Sequence, residues 1–109
     1  IELRAHAKIN LHLRSLRRRP DGYHDLATVF CHLDLCEAVR LEALAGQIRL
    51  ESSLGLALEE DLAGRAAVAL RQALGDASLG CAIHIDKSLP TGGGLGGGSA
   101  DAAAVLRGL

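Results

Sequence analysis

Apolar and polar side chains alternate along the first part of the chain. Between Leu3 and Leu13, every second position from Ala5 onward is apolar, and the positions between them are charged or polar. Successive side chains of a β-strand point to opposite faces of the sheet, so this period of two predicts a strand with one buried face. Lys8 and Asn10 then share the polar face of that strand.

Shorter stretches of the same kind predict further strands. We expect a second extended stretch over residues 26–35, a third strand at Val39, Leu41 and Ala43, a fourth at Ile48 and Leu50 beyond Ala45-Gly46, and another in which Cys81, Ile83 and Ile85 alternate with Ala82, His84 and Asp86. A turn separates the first two, because in Pro20-Asp21-Gly22 the proline sets φ and the glycine permits a positive φ.

Two stretches change to the three- and four-residue spacing of a helix. The first starts near Glu59 and ends at Gly75, and its apolar face would consist of Leu62, Ala66, Ala69, Leu70, Ala73 and Leu74. The second runs from Ser99 to Leu106, with Ser99 as its N-cap. The order of strands, helix, strand, loop and helix predicts an α+β fold.

Composition and charge limit the class of protein. With 109 residues, 49% of them hydrophobic, and a net charge of −1, the chain fits one domain and offers no bulk positive charge for a nucleic acid. It contains no apolar run of about 20 residues and no signal peptide. Its three cysteines lack metal-ligand spacing, so we expect buried, reduced thiols in a cytoplasmic protein. The first residue is not Met, and the chain ends at Leu109, shortly after a predicted helix begins, so we expect a trimmed chain.

The glycine-rich stretch is the strongest chemical signal. Six of the 13 glycines lie between Gly92 and Gly98, interrupted only by Leu95. A glycine loop between a strand and a helix N-terminus lets several backbone N–H groups approach one anion, which favours phosphate binding over a flexible linker. No lysine follows Gly98, so the stretch is not a Walker loop. Lys87 precedes it, and that spacing fits a cation for phosphate and a solvated strand-end lysine equally well.

Three motifs resemble those of a known enzyme family. The segment Pro90-Thr-Gly-Gly-Gly-Leu-Gly-Gly-Gly-Ser-Ala-Asp-Ala-Ala resembles the phosphate loop of the GHMP kinases. Ala7-Lys8-Ile9-Asn10-Leu11 resembles the substrate strand of those members that phosphorylate a cytidine-linked sugar alcohol, and Asp21-Gly22-Tyr23-His24-Asp25-Leu26 resembles their cytidine-recognition segment. The motifs follow the family's order and extend from residue 7 to residue 104, so the resemblance covers nearly the whole chain.

This resemblance implies a fold and a reaction. The fold is the two-layer α+β sandwich of the N-terminal lobe of a GHMP kinase, similar to ribosomal-protein domain 2. Residues 1–109 would form the ATP- and substrate-binding domain, truncated within the helix after the phosphate loop. The reaction is transfer of the γ-phosphoryl group of ATP, accompanied by Mg²⁺, to a hydroxyl of a cytidine-diphosphate-linked sugar alcohol. The enzyme would act in the non-mevalonate route to isoprenoids in a bacterial cytoplasm.

The resemblance also implies roles for individual residues. Lys8 would be the catalytic cation beside the acceptor hydroxyl, and Asn10, Tyr23 and His24 would bind the acceptor, with the Tyr23 ring stacked on cytosine. The expected ATP-binding residues are Asp61, Lys87, Pro90, Thr91, Gly92, Gly93, Gly94, Leu95, Gly96, Gly97, Gly98, Ser99 and Ala100. No dedicated metal ligands are expected.

Two features depart from the family pattern. Many members carry Glu-Asp-Asn-Leu where this chain has Glu59-Glu60-Asp61-Leu62, and an aspartate lacks the amide donor that contacts adenine. The family's general base lies downstream of Leu109, so these 109 residues alone are expected to be inactive. The alternative readings are a GHMP kinase of the homoserine or mevalonate type, and a non-catalytic nucleotide- or RNA-binding domain of the same fold.

Overall fold

Four strands and two helices make up the fold. The computed structural model describes all 109 residues. In chain order the elements are β1 (Glu2–Arg18), β2 (His24–Ala43), β3 (Ile48–Ser52), α1 (Leu62–Leu74), β4 (Cys81–Asp86) and α2 (Gly97–Gly108). The predicted order of elements and the α+β class are confirmed.

The strands form a single sheet that the helices cover on one face. The strand order is β1-β2-β4-β3; β2 is antiparallel to both of its neighbours, and β3 is parallel to β4. The core lies between the sheet and the helices and contains Val39, Leu41, Ile83 and Ile85 from the sheet and Ala63, Ala67, Ala104 and Val105 from the helices. Aliphatic and alanine side chains therefore fill the space between two layers.

The second and third predicted strands are one continuous strand of 20 residues, β2. Opposite this stretch, His6 pairs with Cys36 but Lys8 pairs with His32, so β2 carries extra residues across the register shift. A β-bulge of this kind breaks the alternation of side chains without ending the strand. The interrupted pattern therefore predicts two strands where the structure has one.

Only the first half of β1 has the buried face that its alternation predicts. Ala5 and Ala7 are buried, whereas Leu11 and Leu13 are 65% and 57% exposed. The helices cover the sheet near the start of β1, and the outer part of the β1–β2 hairpin extends beyond them. The turn after β1 forms as predicted, with Gly22 at a φ of 88°.

Helix α1 begins at Leu62, three residues after the predicted start near Glu59, and its N-cap is Asp61. Its last residue is Leu74, and Gly75 stops the helix as predicted. Gly75 has a φ of 66°, and its N–H donates to the carbonyls of Arg71 and Gln72. The predicted apolar face is wrong, because the buried residues are the small ones, Ala63, Gly64 and Ala67. Close packing against other segments of the chain, such as Leu58 beside Gly64, selects these small side chains and leaves the leucines at the helix ends exposed.

Helix α2 begins at Gly97, two residues before the predicted start, and its N-cap is Gly96. Ser99 is therefore not the N-cap; it is exposed in the first turn, and no side chain caps this helix. Among the thiols, all of them free, Cys81 is buried as expected, while Cys31 and Cys36 are only partly buried. Neither helix is long and apolar enough to cross a membrane.

Candidate functional site

A cleft of about 350 Å³ lies where β4 leads into α2. The glycine loop, residues 90–96, forms one wall of this cleft, and the first turn of α2 continues that wall. Asp61, Lys87 and Glu37 also line the cleft. All of the predicted ATP-binding residues from Asp61 to Ser99 line the cleft; Ala100 does not.

The loop backbone adopts the conformation that only glycine takes readily. Gly92, Gly94 and Gly96 have φ values of 75°, 75° and 72°, in the left-handed region. Among the hydrogen bonds outside helices and strands, none has a backbone N–H of residues 91–96 as its donor. The loop that lines the cleft thus has unpaired backbone N–H groups, as phosphate-binding loops do.

Lys8 connects strand β1 to the glycine loop. Its backbone N–H donates to the carbonyl of Leu95 at 2.8 Å, and its Nζ donates to the carbonyl of Gly94 at 2.9 Å. The same Nζ donates to Oδ1 of Asn10 at 2.7 Å. A Cβ on Gly96 would lie 3.0 Å from Cε of Lys8, so the lysine stem also needs a glycine there. The ammonium is therefore fixed between the loop and Asn10.

Asn10 is itself held in one orientation. Its Nδ2 donates to Oγ1 of Thr28 at 2.7 Å, and Thr28 donates to the carbonyl of His12 at 2.7 Å. The predicted sharing of one face by Lys8 and Asn10 is confirmed, since their side chains are in contact.

Tyr23 and His24 lie apart from this group, at the far end of the hairpin. Tyr23 is 72% exposed, and His24 is also exposed. His24 pairs with Arg18 near the hairpin turn, whereas Lys8 pairs with His32. No hydrogen bond joins either side chain to the loop. The structure therefore places Tyr23 and His24 at one end of the hairpin and Lys8 and Asn10 beside the loop, and does not bring these two pairs together.

Lys87 forms the centre of a buried cluster of charges beneath the loop. Its Nζ lies 2.6 Å from Oδ2 of Asp101 and 3.3 Å from Oδ2 of Asp61, and its side chain is 9% exposed. Oδ1 of Asp61 accepts the N–H of Ala63 and so caps α1. Lys87 is thus not a solvated strand-end lysine. The Lys87 ammonium is instead paired with two carboxylates, and one oxygen of Asp61 is occupied by the helix cap.

Glu37 and Asp101 complete the cluster, and sequence analysis missed both. Glu37 is 2% exposed, and its Oε1 accepts the N–H groups of Ser88 and Leu89, each at 2.9 Å. In the sequence, Glu37 takes the position two residues before Val39 and four before Leu41, both core residues, and this alternation indicates that Glu37 lies on the buried face of the strand. Asp101 is the single acidic residue within a run of alanines, a pattern that indicates a charge on an otherwise apolar part of the helix.

The cluster shifts the pKa values of its members. Burial raises the pKa of Asp101 to about 6; the hydrogen bond from Lys87 opposes this rise, and the neighbouring Glu37 carboxylate adds to it. Burial alone would lower the pKa of Lys87, but the hydrogen bond and charge of Asp101, with those of Asp61, outweigh it and raise that pKa. Oδ1 of Asp101 accepts no hydrogen bond, whereas protonated Asp101 can donate one to the neighbouring Glu37 carboxylate.

We predict that Asp101 makes the protein less stable as the pH rises from about 4 to about 6. In this window the folded state keeps a proton that the unfolded chain releases near its ordinary pKa of 3.8. The free energy of unfolding should therefore fall by at most about 3 kcal/mol across the window and then level off. The side chain of Asp101→Asn cannot titrate. The free energy of unfolding of this variant, measured in urea titrations, should therefore rise relative to that of the wild type by the same amount between about pH 4 and about pH 6.

Asp76→Asn is the matched control for this prediction. Asp76 is exposed, and its hydrogen bonds from Ser78 lower its pKa. The stability it provides is lost only as the pH falls below about 5, so the Asp76→Asn difference should stay flat in the part of the window from pH 5 upward. If the free energies of unfolding of Asp101→Asn and of the wild type differ by the same amount at every pH, Asp101 is ionised in the folded protein throughout the window and the prediction is wrong.

Comparison with known proteins identifies similar sequences and structures. The model of the GHMP kinases N terminal domain matches residues 61–109. A 4-diphosphocytidyl-2-C-methyl-D-erythritol kinase of Methylococcus capsulatus is 51% identical over 108 residues, which are 97% of this chain and 37% of that protein. The protein of the same name from Symbiobacterium thermophilum is 47% identical over all of this chain and 39% of its own length. The chain thus spans less than two fifths of these relatives.

Solved structures agree with these matches. The crystal structure of a 4-(cytidine 5'-diphospho)-2C-methyl-D-erythritol kinase matches the whole chain with a TM-score of 0.83 and 40% identity, over 39% of that protein. A homoserine kinase from Cytophaga hutchinsonii matches 72% of the chain with a TM-score of 0.60 and 22% identity, which shows a shared fold alone.

Proposed function

The chain belongs to the GHMP kinase family, and from this premise we propose that it forms the ATP- and acceptor-binding lobe of a phosphotransferase. The acceptor is 4-diphosphocytidyl-2-C-methyl-D-erythritol, and the reaction transfers the γ-phosphoryl group of ATP to its 2-hydroxyl. The relatives of that name are about half identical to the chain over nearly its whole length, which supports this substrate above other acceptors of the family.

The observation that carries the proposal is the position of Lys8. Its ammonium touches both Gly94, in the loop that would bind the ATP phosphates, and Asn10, on the strand that would bind the acceptor. Phosphoryl transfer depends mainly on alignment of the reacting groups and on stabilisation of the charge on their oxygens. A fixed cation at the junction of the two sites supplies both, because it orients the acceptor hydroxyl and stabilises the charge of the transferring group.

ATP binding in this proposal relies on the backbone. The N–H groups of residues 91–96 and of the first turn of α2 would hold the phosphates, helped by the helix dipole. The chain contains no cluster of three His, Cys, Asp or Glu side chains able to hold a metal ion. Mg²⁺ would reach the site with the ATP phosphates, since this ion keeps several waters and is usually bound through substrate phosphates. The general base would be supplied by residues outside this chain.

At the other end of the hairpin, Tyr23 and His24 would bind the cytosine base. An exposed tyrosine ring provides a face for base stacking, and a neutral imidazole offers one donor and one acceptor to a base edge. The outer half of β1 would then carry the rest of the acceptor from Tyr23 towards Lys8.

A coupled assay of ATP consumption by the full-length protein tests this function. We expect turnover with the cytidine-linked substrate and none with homoserine. Tyr23→Ala should raise KM for the cytidine-linked substrate about 10-fold, since stacking of one base contributes about 1–3 kcal/mol. KM for ATP should not change, because Tyr23 has no contact with the loop. Phosphorylation of homoserine instead would contradict the proposed acceptor, and an equal rise in both KM values would contradict the role of Tyr23.

A further inference from the structure

The glycine loop has few contacts between its ends. Residues 91–94 are exposed, and apart from the helical bond that Gly96 accepts from Ala100, the polar contacts of residues 90–96 are those made by Lys8. Left-handed glycine backbone is also flexible when nothing restrains it. The shape of the loop therefore depends on how its two ends, Ser88-Leu89 and Gly97, are held.

One buried carboxylate reaches both ends of the loop. Oε1 of Glu37 accepts two backbone N–H groups, from Ser88 and Leu89, each at 2.9 Å. A Cβ on Gly97 would lie 3.5 Å from Oε2, so the second oxygen faces the first residue of α2. Glu37 thus spans the base of the loop.

This position is an unusual one for a glutamate. Glu37 is 2% exposed on the face of β2 that also carries Val39 and Leu41, and its cross-strand partner is Ala5. Burying a carboxylate is unfavourable unless hydrogen bonds replace its water. The two N–H donors meet this need with charge-assisted bonds, and the N-terminus of α2 favours a negative charge nearby. An apolar residue here would leave both backbone N–H groups without a partner.

We propose that Glu37 is a positioning residue, whose carboxylate holds the two ends of the glycine loop at the separation that nucleotide phosphates require. Glu37 itself touches no phosphate in this arrangement. The inference rests on the proposed function where it concerns turnover, and on the loop alone where it concerns nucleotide binding.

The test compares Glu37→Met and Glu37→Gln in the full-length protein. Methionine fills a similar volume but accepts no hydrogen bond, whereas the amide oxygen of glutamine still accepts both N–H groups. For Glu37→Met we expect the Kd for ADP and KM for ATP to rise about 20-fold, as loss of hydrogen bonds to a charged group implies. We expect kcat at saturating ATP and KM for the acceptor to change less than about threefold. Glu37→Gln should stay within about threefold of wild type in every parameter.

Glu42→Ala is the control, because Glu42 is an exposed residue of the same strand. Equal ADP affinity in Glu37→Met and Glu42→Ala would overturn the proposal. A Glu37→Met variant in which kcat falls and both KM values rise by similar factors would also overturn it, because that result marks a general structural defect. A defect in Glu37→Gln as large as that in Glu37→Met would also overturn it, because both N–H bonds survive in the amide. If Glu37→Met does not fold, the test uses Glu37→Asp instead. A higher Kd for ADP in Glu37→Asp supports the proposal, and an unchanged Kd overturns it.

The proposed function and this inference fail in different ways. A wild-type protein that binds ADP but does not phosphorylate the cytidine-linked substrate contradicts the proposed reaction, while the ADP titrations of the Glu37 variants still decide the positioning role. A wild-type protein that turns over normally, with variants of unchanged ADP affinity, contradicts only the inference.

Discussion

Lys8→Met is expected to lower kcat of the full-length protein about 1,000-fold, the upper end of what removal of one fixed transition-state donor costs. The ammonium of Lys8 is held by Gly94 and Asn10, so it needs no rearrangement as charge develops on the transferring oxygens. Methionine keeps the length of the stem, which packs against Gly96, and removes only the charge and its donors. The two KM values should change far less than kcat, because the contact strengthens in the transition state.

Arg4→Met serves as the control for this experiment. Arg4 is an exposed cation of the same strand, and it pairs with Ala38 away from the loop. It should retain wild-type kcat and wild-type melting behaviour. A loss of less than about 10-fold in Lys8→Met would contradict the catalytic role, because removal of one fixed transition-state donor costs about 100- to 1,000-fold in kcat.

The sequence predicts those elements whose local pattern is undisturbed by their neighbours. Strand β4 has a strict alternation without a bulge, and its structure agrees with the prediction residue by residue. The glycine loop was also predicted, because φ values near 75° require glycine whatever surrounds them. In both cases the cause of the structure lies within the segment itself.

The remaining features depend on packing between segments. The bulge opposite Lys8 is a property of two paired strands, so β2 alone gives no sign of it. Helix α1 has two possible apolar faces, and its contacts with its neighbours select the one with Ala63 and Ala67 instead of the one with the leucines. A helical period identifies a helix but not which of two similar faces is buried.

The buried charges were missed for a related reason. Asp101 and Glu37 come from different elements, and only the fold places them around Lys87. The sequence alone is equally consistent with a phosphate contact and with a solvated Lys87, since its carboxylate partners are 14 and 26 residues away along the chain. One lysine among three carboxylates also leaves no spare positive charge beneath the loop, so phosphate binding depends on backbone N–H groups and on Lys8.

Lys87→Met is expected to destabilise the protein by about 3–5 kcal/mol, the usual effect of breaking a buried ion pair. The variant leaves Asp61 and Asp101 buried without their shared counter-charge, next to Glu37. A second substitution, Asp101→Asn, removes one of these charges and should restore part of the loss. Urea unfolding of the two single variants and the double variant then gives the coupling energy between Lys87 and Asp101.

The control and a binding measurement separate this structural role from a role in phosphate binding. Arg49→Met removes an exposed cation of β3 and should change stability by no more than about 0.5 kcal/mol. Because the ammonium of Lys87 is already paired with two carboxylates, Lys87→Met should bind ADP with wild-type affinity at temperatures where it is folded. A large rise in the Kd for ADP with unchanged stability would show that Lys87 leaves its carboxylates to meet the phosphates. Unchanged affinity with a large loss of stability would place its charge within the scaffold that supports the loop.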